Sequence, residues 1–427
     1  MKDERSLPTG RLGRLGRLVS VGARAGLDLL SSRDSQRSAE RAAEVLGTLR
    51  GLAAKVGQMA SYVDGVVPEQ HRAAYETAMG ALRSAAPRSP YPEIKQLIET
   101  ELGASIDELF HAFEEHPVAS ASIGQVHRAI VKTASSDGSQ EVAVKVQHPG
   151  IVTALESDLA NASILEQMMA IGGTRRFNSQ GMLEMIRTRF REELDYRLEA
   201  ERQRAFALIH AGDPTIRVPR VLDELSTGRV LTSEFVRGAS FEQAIAATEA
   251  ERRAWAETMW RFVFKGNLGG GMFNADPHPG NYLFSDGGVV TFLDYGCVQP
   301  IPPEQHQWAF AVHRAAIARD EHAFREAGKQ LLSTRPGPLE ELVLRYLRRC
   351  FEPLFVAPFR MTRDYARSLV EDFKEMSTAA LKMDAAHAFA MPTEILFMNR
   401  LQFGFYSVLA RLDVAVNYAA VEAEFLK

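Results

Sequence analysis

The residues best suited to chemistry are Asp276 and Asn281, at the two ends of the sequence Asp276-Pro-His-Pro-Gly-Asn281. An Asp followed at this spacing by an Asn is the pattern of a phosphotransfer catalytic loop. The Asp would orient a proton on the attacking oxygen, and the Asn would bind a divalent cation. A structural Asx turn leading into a strand is the alternative interpretation.

Asp294, in the sequence Asp294-Tyr-Gly296, is the second candidate metal ligand. The apolar segments 282–284 and 289–293 flank a Ser-Asp-Gly-Gly turn, which predicts an antiparallel hairpin. The hairpin would bring Asn281 and Asp294 together at its open end. Two oxygen ligands of this kind suit Mg²⁺, which takes its other ligands from phosphate and water.

Lys145 is the candidate phosphate-binding cation. It lies in the alternating segment Glu141-Val-Ala-Val-Lys-Val-Gln147, a strand pattern whose second face carries small residues and Lys145. Asp195 and Glu199 are four positions apart on a predicted helix and would share its face. Glu199 is the candidate carboxylate that holds the ammonium group. Ordinary solvated strand and helix surfaces are the alternative.

The segment before this strand is a candidate nucleotide-binding loop. It reads Pro117-Val-Ala-Ser-Ala-Ser-Ile-Gly-Gln125, with one glycine and no G-x-G-x-x-G pattern. Small side chains let backbone N–H groups approach phosphate, and the hydroxyl groups of Ser120 and Ser122 add possible donors. Ala and Ser in place of Gly would make the loop stiffer.

Hydrophobic periodicity divides the chain into a helical beginning, a strand-rich middle and a mostly helical remainder. Strands are predicted over residues 125–132, 141–147, 217–222 and 230–235, with hairpins at residues 135–139 and 281–294. Helices are predicted over residues 38–80, 91–102 and 151–211, and again from 304. We expect an α+β fold with a helical extension at 1–116, a small strand-rich lobe with inserted helices at 117–238, and a helical lobe at 239–427.

Composition excludes several classes of protein. The 427 residues include 50 Lys and Arg against 54 Asp and Glu, a near balance that argues against a general nucleic-acid binder. Cys297 and Cys350 are too few for a disulfide framework and indicate a reducing, intracellular compartment. The chain has no uncharged apolar run of about 18 residues, so no transmembrane helix is predicted.

The first 60 residues are locally basic. Their segment Arg11-Leu-Gly-Arg-Leu-Gly-Arg-Leu18 repeats a basic-apolar triplet that could lie on an anionic membrane surface. Gly13 and Gly16 weaken a helix, which favours a solvated terminus instead. We expect a cytoplasmic location, with peripheral attachment to a membrane left open.

Taken together, these motifs resemble the UbiB (AarF-type) family of atypical kinase-like proteins. Six motifs occur in the family's order: Lys55-Val-Gly-Gln58, Ala119 to Gln125, Val142 to Lys145, Glu193-Leu-Asp195, Asp276 to Asn281 and Asp294-Tyr-Gly296. The resemblance implies a protein-kinase-like two-lobe fold that binds ATP with Mg²⁺ or Mn²⁺. It also implies that the helical extension is specific to the family.

The resemblance implies a role for each motif. Lys145 would contact the α- and β-phosphates and pair with Glu199, Asp276 would be the catalytic Asp, and the metal would bind Asn281 and Asp294. The other residues expected to contact ATP are Ala119, Ser120, Ala121, Ser122, Glu234 and Val236. The residues expected to form a regulatory contact over the active site, where a protein kinase receives its peptide, are Lys55, Gln58, Glu193 and Asp195.

Several features depart from the family or from protein kinases. Ser120 replaces an alanine of the family's loop, and Tyr295 replaces the commoner Phe of the metal-binding triplet. Asn274 and Ala275 stand where a protein kinase has His-Arg, and no Ala-Pro-Glu segment follows. These absences disfavour phosphorylation of proteins in trans.

By resemblance, the function would be ATP hydrolysis or phosphoryl transfer to a small molecule, in support of isoprenoid-quinone (ubiquinone) biosynthesis at a membrane surface. The expected partners are ATP, a lipid or quinone precursor, an anionic membrane and quinone-biosynthesis proteins, with no nucleic acid. Two alternatives stay open: a non-enzymatic ATP-gated scaffold, and a small-molecule kinase like the aminoglycoside or choline kinases. The latter lack a segment like Lys55–Gln58.

Overall fold

The computed structural model of the chain describes residues 88–121, 123–132, 140–153, 156, 188, 191–382 and 393–426. The predicted helix over 38–80, the turn at 135–139 and most of the predicted helix over 151–211 lie outside these residues. So do Lys55, Gln58 and Ser122. The expectations attached to them stay predictions.

The first half of the described chain carries two helices, four strands, a third helix and two further strands. In order they are α1 (Tyr91–Leu102), α2 (Ile106–Leu109), β1 (Phe110–Phe113), β2 (Ala119–Ser120), β3 (Gly124–Val131), β4 (Gln140–Gln147), α3 (Tyr196–Ile209), β5 (Ile216–Arg217) and β6 (Val230–Glu234).

The second half is mainly helical, with short strands between the helices. It contains α4 (Phe241–Ala244), α5 (Glu249–Gly270), β7 (Met272–Asn274), β8 (Tyr282–Ser285), β9 (Val289–Phe292), β10 (Val298–Pro300), α6 (Pro303–Ala318), α7 (Glu321–Leu331), α8 (Pro338–Cys350), α9 (Glu352–Phe355), β11 (Phe359–Arg360), α10 (Arg363–Lys382), α11 (Thr393–Leu412), β12 (Ala415–Val416) and α12 (Tyr418–Ala423).

These elements form two compact units. The first unit contains the described residues up to Glu201 together with Arg220–Phe235. The second contains Arg202–Pro219 and the described residues from Val236 onward. Together the elements confirm an α+β composition. The division into an extension and two lobes stays a prediction.

The first unit is built on an antiparallel sheet with the order β1-β3-β4-β6, and β2 pairs with the free edge of β3 near its start. Val142, Val144 and Val146 of β4 are fully buried, which confirms the alternation predicted from the sequence. Ile94 and Ile98 of α1 join the same core. The predicted bounds of α1 are confirmed, and the helix ends at Gly103 in the left-handed conformation.

Helix α5 is the central element of the second unit. It begins at a capping box in which Thr248 and Glu251 bond each other's backbone N–H groups. Its buried side includes Trp260 and Phe262, which belong to the unit's large core. The β8–β9 hairpin predicted from the sequence is confirmed, and β5 pairs with β9 in parallel.

The structure corrects two of the predicted elements. The strand expected at 217–222 is limited to β5 and a single bridge between Val221 and Ser233, because Pro219 has no N–H group for a ladder. The expectation of a single hairpin in an otherwise helical second half was also wrong. β7 pairs with β10, and β11 pairs with β12.

No helix within the described ranges is long and apolar enough to cross a membrane.

Candidate nucleotide-binding site

Lys145 and Glu199 form a close ion pair within the first unit. The Lys145 Nζ lies 2.6 Å from Glu199 Oε1, and the Glu199 side chain is only 2% exposed. The ammonium group also lies 5.1 Å from the centre of the Tyr196 ring, a favourable cation–π position. The structure therefore brings together the two residues that the sequence suggested as partners, although 54 positions separate them.

The close approach of β3, β4 and α3 explains why position 124 is a glycine. A Cβ atom there would lie 2.5 Å from the Val146 carbonyl oxygen and 2.6 Å from the Tyr196 hydroxyl oxygen. Both distances are far inside van der Waals contact. The glycine of the candidate loop therefore serves the packing that seats the Lys145 strand.

The candidate nucleotide-binding loop is a tight hairpin between β2 and β3. Ala119 pairs with Val126 and Ser120 with Gln125. The Ala121 N–H donates to the Gly124 carbonyl oxygen at 2.8 Å. The Ala121 N–H group is therefore already hydrogen-bonded within the hairpin. In this conformation it is not one of the backbone donors that the loop was expected to offer to phosphate.

A buried polar network that sequence reasoning missed lies behind this hairpin. One ring nitrogen of His148, Nε2, lies 3.1 Å from the Ala121 carbonyl oxygen, and the other, Nδ1, lies 2.9 Å from Ser89 Oγ. Both side chains are less than a tenth exposed. Since a carbonyl oxygen only accepts, His148 Nε2 carries a proton and donates to the loop. Ser89 and His148 therefore fix the position of Ala121.

The network continues through Gln125 to His127. The Ser89 N–H donates to Gln125 Oε1 at 2.8 Å, which orients the amide so that its Nε2 donates to His127 Nε2 at 2.8 Å. The other ring nitrogen of His127 donates to the Glu114 carbonyl oxygen. This pattern requires a neutral ring, and burial lowers the pKa of His127 accordingly. In the sequence, a Gln and a His two positions apart on one strand face could have indicated this network.

Asp195 lies directly before the first residue of α3, one helical turn before Glu199. Residues 194–195 interrupt the helix, and Asp195 is exposed before α3, where its carboxylate accepts the Arg197 N–H at 3.0 Å. The Asp195 carbonyl oxygen accepts the Glu199 N–H at 3.2 Å, the first bond of the helix, and the Leu194 carbonyl oxygen accepts from the side chain of Gln147. The expectation that both side chains share one helical face stays a prediction. Glu193 is buried.

In the second unit, the segment Asp276–Asn281 is a loop held by its own hydrogen bonds. The Asn281 side chain donates from Nδ2 to the Asp276 carbonyl oxygen at 3.1 Å, and the Gly280 N–H donates to His278 Nδ1 at 2.8 Å. The Asn281 amide nitrogen is thus used inside the loop. Its Oδ1 is the atom that suits a metal.

Asp294 lies beside this loop at the open end of the β8–β9 hairpin. The ladder extends one step past the strands, since the Leu293 N–H donates to the Asn281 carbonyl oxygen at 3.0 Å. The Asp294 carboxylate accepts the Gly296 N–H at 2.9 Å, which orients it. The juxtaposition of Asn281 and Asp294 expected from the hairpin is therefore present in the backbone.

Asn274 connects the two segments. Its Oδ1 accepts the Asp276 N–H at 3.0 Å, and its Nδ2 donates to the Asp294 carbonyl oxygen at 2.5 Å. One side chain thus sets the backbone on both sides of the candidate metal site. The sequence showed Asn274 only as a departure from the His-Arg of protein kinases, and its bridging role was missed.

Comparison with known proteins identifies the family. Residues 81–328, more than half of the chain, match the model of the ABC1 atypical kinase-like domain. The chain belongs to this family. The UbiB (AarF-type) membership expected from the six motifs is thereby confirmed.

The relatives of this ABC1 atypical kinase-like chain include organellar proteins. The chain is 30% identical over 337 residues to atypical kinase COQ8B, mitochondrial, of Rattus norvegicus, covering 74% of this chain and 62% of that protein. It is 30% identical over 258 residues to the protein ACTIVITY OF BC1 COMPLEX KINASE 8, chloroplastic, of Arabidopsis thaliana, covering 58% and 32%. The chain therefore spans less than two thirds of the length of these relatives.

A solved structure shares most of the fold. The complex of Rv3197 with erythromycin from Mycobacterium tuberculosis aligns with a TM-score of 0.61 and 29% identity. The alignment covers 89% of this chain and 93% of that one. The kinase-like fold of this ABC1 domain is thus supported by a solved relative.

The remaining candidate residues of this ABC1 domain are Glu234, Val236 and Tyr295. Glu234 ends β6, opposite Val142 of β4, and Val236 is buried at the start of the next segment. The Tyr295 hydroxyl group donates to the Phe292 carbonyl oxygen at 3.0 Å, so the Tyr that replaces Phe uses its extra oxygen within the hairpin. Burial raises the pKa of Tyr295, and the Asp294 charge adds to the effect.

The described residues contain no group of three or more His, Cys, Asp and Glu side chains placed to hold a metal ion. The Asn281 and Asp294 side chains would supply oxygen ligands to a cation such as Mg²⁺, which commonly takes its other ligands from phosphate and water.

Proposed function

We propose that this chain is a Mg-ATP-dependent atypical kinase or ATPase that hydrolyses ATP or transfers a phosphoryl group to a small molecule. The observation that carries the proposal is the Lys145–Glu199 ion pair inside the ABC1 domain. A lysine held by a helical glutamate is the arrangement that positions ATP phosphates in kinases. By family resemblance, the turnover supports isoprenoid-quinone (ubiquinone) biosynthesis at a membrane surface.

The residues of each unit have separate tasks in this proposal. Lys145 neutralises and positions the α- and β-phosphates, while Glu199 keeps its ammonium group in place. Asp276 orients the attacking water or hydroxyl group, and Asn281 and Asp294 hold the divalent cation. When bound there, a divalent cation would supply charge neutralisation to the phosphates.

Two features favour a small acceptor over a peptide. Asn274 and Ala275 occupy the places of the His-Arg pair, and the Asn274 side chain bridges Asp276 and Asp294. The chain also has no Ala-Pro-Glu segment after Gly296. The proposal further assigns Glu193 and Asp195 to contact with Lys55 and Gln58, which would restrict access to the active site.

The test is steady-state phosphate release by the purified full chain with Mg-ATP, with and without anionic liposomes. The variant Asp294→Asn should lose metal-dependent nucleotide binding and phosphate release. Asp286→Asn is the matched control, because Asp286 is exposed in the turn of the same hairpin. If Asp294→Asn binds Mg-ATP with wild-type affinity, the metal assignment is wrong.

The same experiment separates an enzyme from an ATP-gated scaffold. Phosphate release that depends on Asp276 and Lys145 supports turnover. If wild-type protein binds Mg-ATP but forms no ADP, with or without liposomes and a phenolic quinone precursor, the proposed turnover is refuted and the scaffold is favoured.

A further inference from the structure

Helix α3 places two side chains on the candidate metal-binding triplet Asp294-Tyr-Gly296. Arg202 and Phe206 are four positions apart, so they lie on one face of the helix. The Arg202 Nη1 donates to the Gly296 carbonyl oxygen at 3.0 Å, and the centre of the Phe206 ring lies 5.3 Å from that of the Tyr295 ring. All of these residues belong to the second unit.

The triplet needs contacts of this kind because it lies between two strands. Residues 293–297 belong to neither β9 nor β10. On one side the Asn274 side chain holds the Asp294 carbonyl oxygen, and on the other the Ala275 N–H donates to the Cys297 carbonyl oxygen at 2.7 Å. Between these two attachments, the Gly296 carbonyl oxygen is held by Arg202.

Gly296 connects Arg202 to the candidate metal ligand Asp294. Its N–H group donates to Asp294 Oδ1 at 2.9 Å, and its carbonyl group accepts from Arg202. Gly296 is buried, and a buried carbonyl group that loses its donor is costly. Because a glycine backbone rotates more freely than that of other residues, the loop would relieve this cost by moving. The N–H group that orients Asp294 would move with it.

We propose that Arg202 is a positioning residue for the metal ligand Asp294. Its guanidinium group holds Gly296, and through Gly296 it holds the Asp294 carboxylate in the orientation that binds a divalent cation. The inference rests on the proposed function, because it takes Asp294 as a metal ligand. Groups that orient metal ligands typically change metal affinity by about ten- to a hundredfold when they are removed.

The test is binding of Mn²⁺, used in place of Mg²⁺ and detected by electron paramagnetic resonance, to the full chain with a non-hydrolysable ATP analogue. Arg202→Met keeps the apolar stem but loses the donor, so Mn²⁺ should bind about tenfold or more weakly. Arg202→Lys keeps a charged donor and should recover part of this affinity. Arg204→Met is the control, because it removes the same charge from an exposed position of α3 and should leave the Mn²⁺ affinity unchanged.

Hydrogen exchange without metal or nucleotide separates positioning from general stability. In Arg202→Met, exchange should be about tenfold faster in a peptide that covers residues 294–297, the effect of one lost hydrogen bond, and unchanged in peptides from α5. Faster exchange throughout the second unit would make Arg202 a general stability residue and would overturn the proposal.

The outcomes also distinguish this inference from the proposed function. If wild-type protein binds Mn²⁺ with the analogue and Arg202→Met binds it equally well, the positioning role is wrong, whereas the proposed metal site is unaffected. If wild-type protein binds no Mn²⁺ with the analogue, both the positioning role and the proposed metal site are wrong.

Discussion

Removing the positive charge of Lys145 should destabilise the first unit, and removing the negative charge of Glu199 as well should largely restore it. Lys145→Met keeps the apolar stem of the side chain but removes the Lys145 charge from beside the Glu199 carboxylate, which is 2% exposed. Glu199→Gln in the same chain replaces that carboxylate with an uncharged group of similar shape.

The magnitude follows from burial. Removing one partner of a buried ion pair costs about 3–5 kcal/mol, because the other charge stays buried without compensation. The Lys145 side chain is 20% exposed, so water reaches its end and the lower value, about 3 kcal/mol, applies. Replacing both partners by uncharged groups should return stability to within about 1 kcal/mol of wild type.

The suitable assay is hydrogen exchange measured by mass spectrometry on peptides that cover β4 and the start of α3. It reports local opening and does not require the two units to unfold together. A loss of about 3 kcal/mol corresponds to exchange about a hundredfold faster in Lys145→Met, with near wild-type exchange in the double variant. Arg253→Met with Glu249→Gln, an exposed pair on α5, should change little in the same cycle.

Two outcomes would refute this reasoning. One is wild-type exchange in Lys145→Met, which would mean that Glu199 does not depend on this cation. The other is a double variant whose loss of opening free energy equals the sum of the losses in the two single variants. That result would show that the two side chains act independently.

Two further predictions concern the second unit. Burial, with a smaller effect of the Lys265 charge, lowers the pKa of His210 to about 4. Unfolded His210 takes up a proton below about pH 6.5 but the folded ring does so only near 4, so about 3 kcal/mol of stability is lost as the pH falls between these values. His210→Phe should remove this part of the acid sensitivity in urea unfolding from pH 7 to 4, and an equally steep loss in the variant would contradict the assignment. Asn274→Leu should lower kcat for phosphate release about tenfold or more with little change in the ATP KM, since each lost hydrogen bond is worth about 1 kcal/mol. Asn274→Asp keeps the acceptor for the Asp276 N–H, so its kcat should be intermediate. An unchanged kcat in Asn274→Leu would exclude a positioning role.

Local patterns predicted much of the fold. The alternation Val142, Val144, Val146 predicted a strand with one buried face, and the structure confirms it. The hairpin between Asn281 and Asp294 was predicted from two short apolar segments around a glycine turn, because such a turn determines the pairing of the strands it connects.

Interactions between distant segments were less predictable. The bond from the Gln147 side chain to the Leu194 carbonyl oxygen joins segments 47 positions apart, and helical periodicity in the sequence does not show it. The bridge from Asn274 to Asp294 was missed for a similar reason. In the sequence, an Asn with no charged or repeating neighbours resembles any loop residue. Its role becomes visible when the structure shows its amide hydrogen-bonded to two backbone segments.

The amino-acid sequence by itself determined the family, the strand that carries Lys145 and the hairpin that places Asn281 beside Asp294, since each depends on residue types at short spacing. The tertiary structure decided which groups hold these segments in place: Ser89 and His148 behind Ala121, and Asn274 between Asp276 and Asp294. The reason is physical, because a buried polar group requires a partner, and only packing determines which distant group is close enough to provide one.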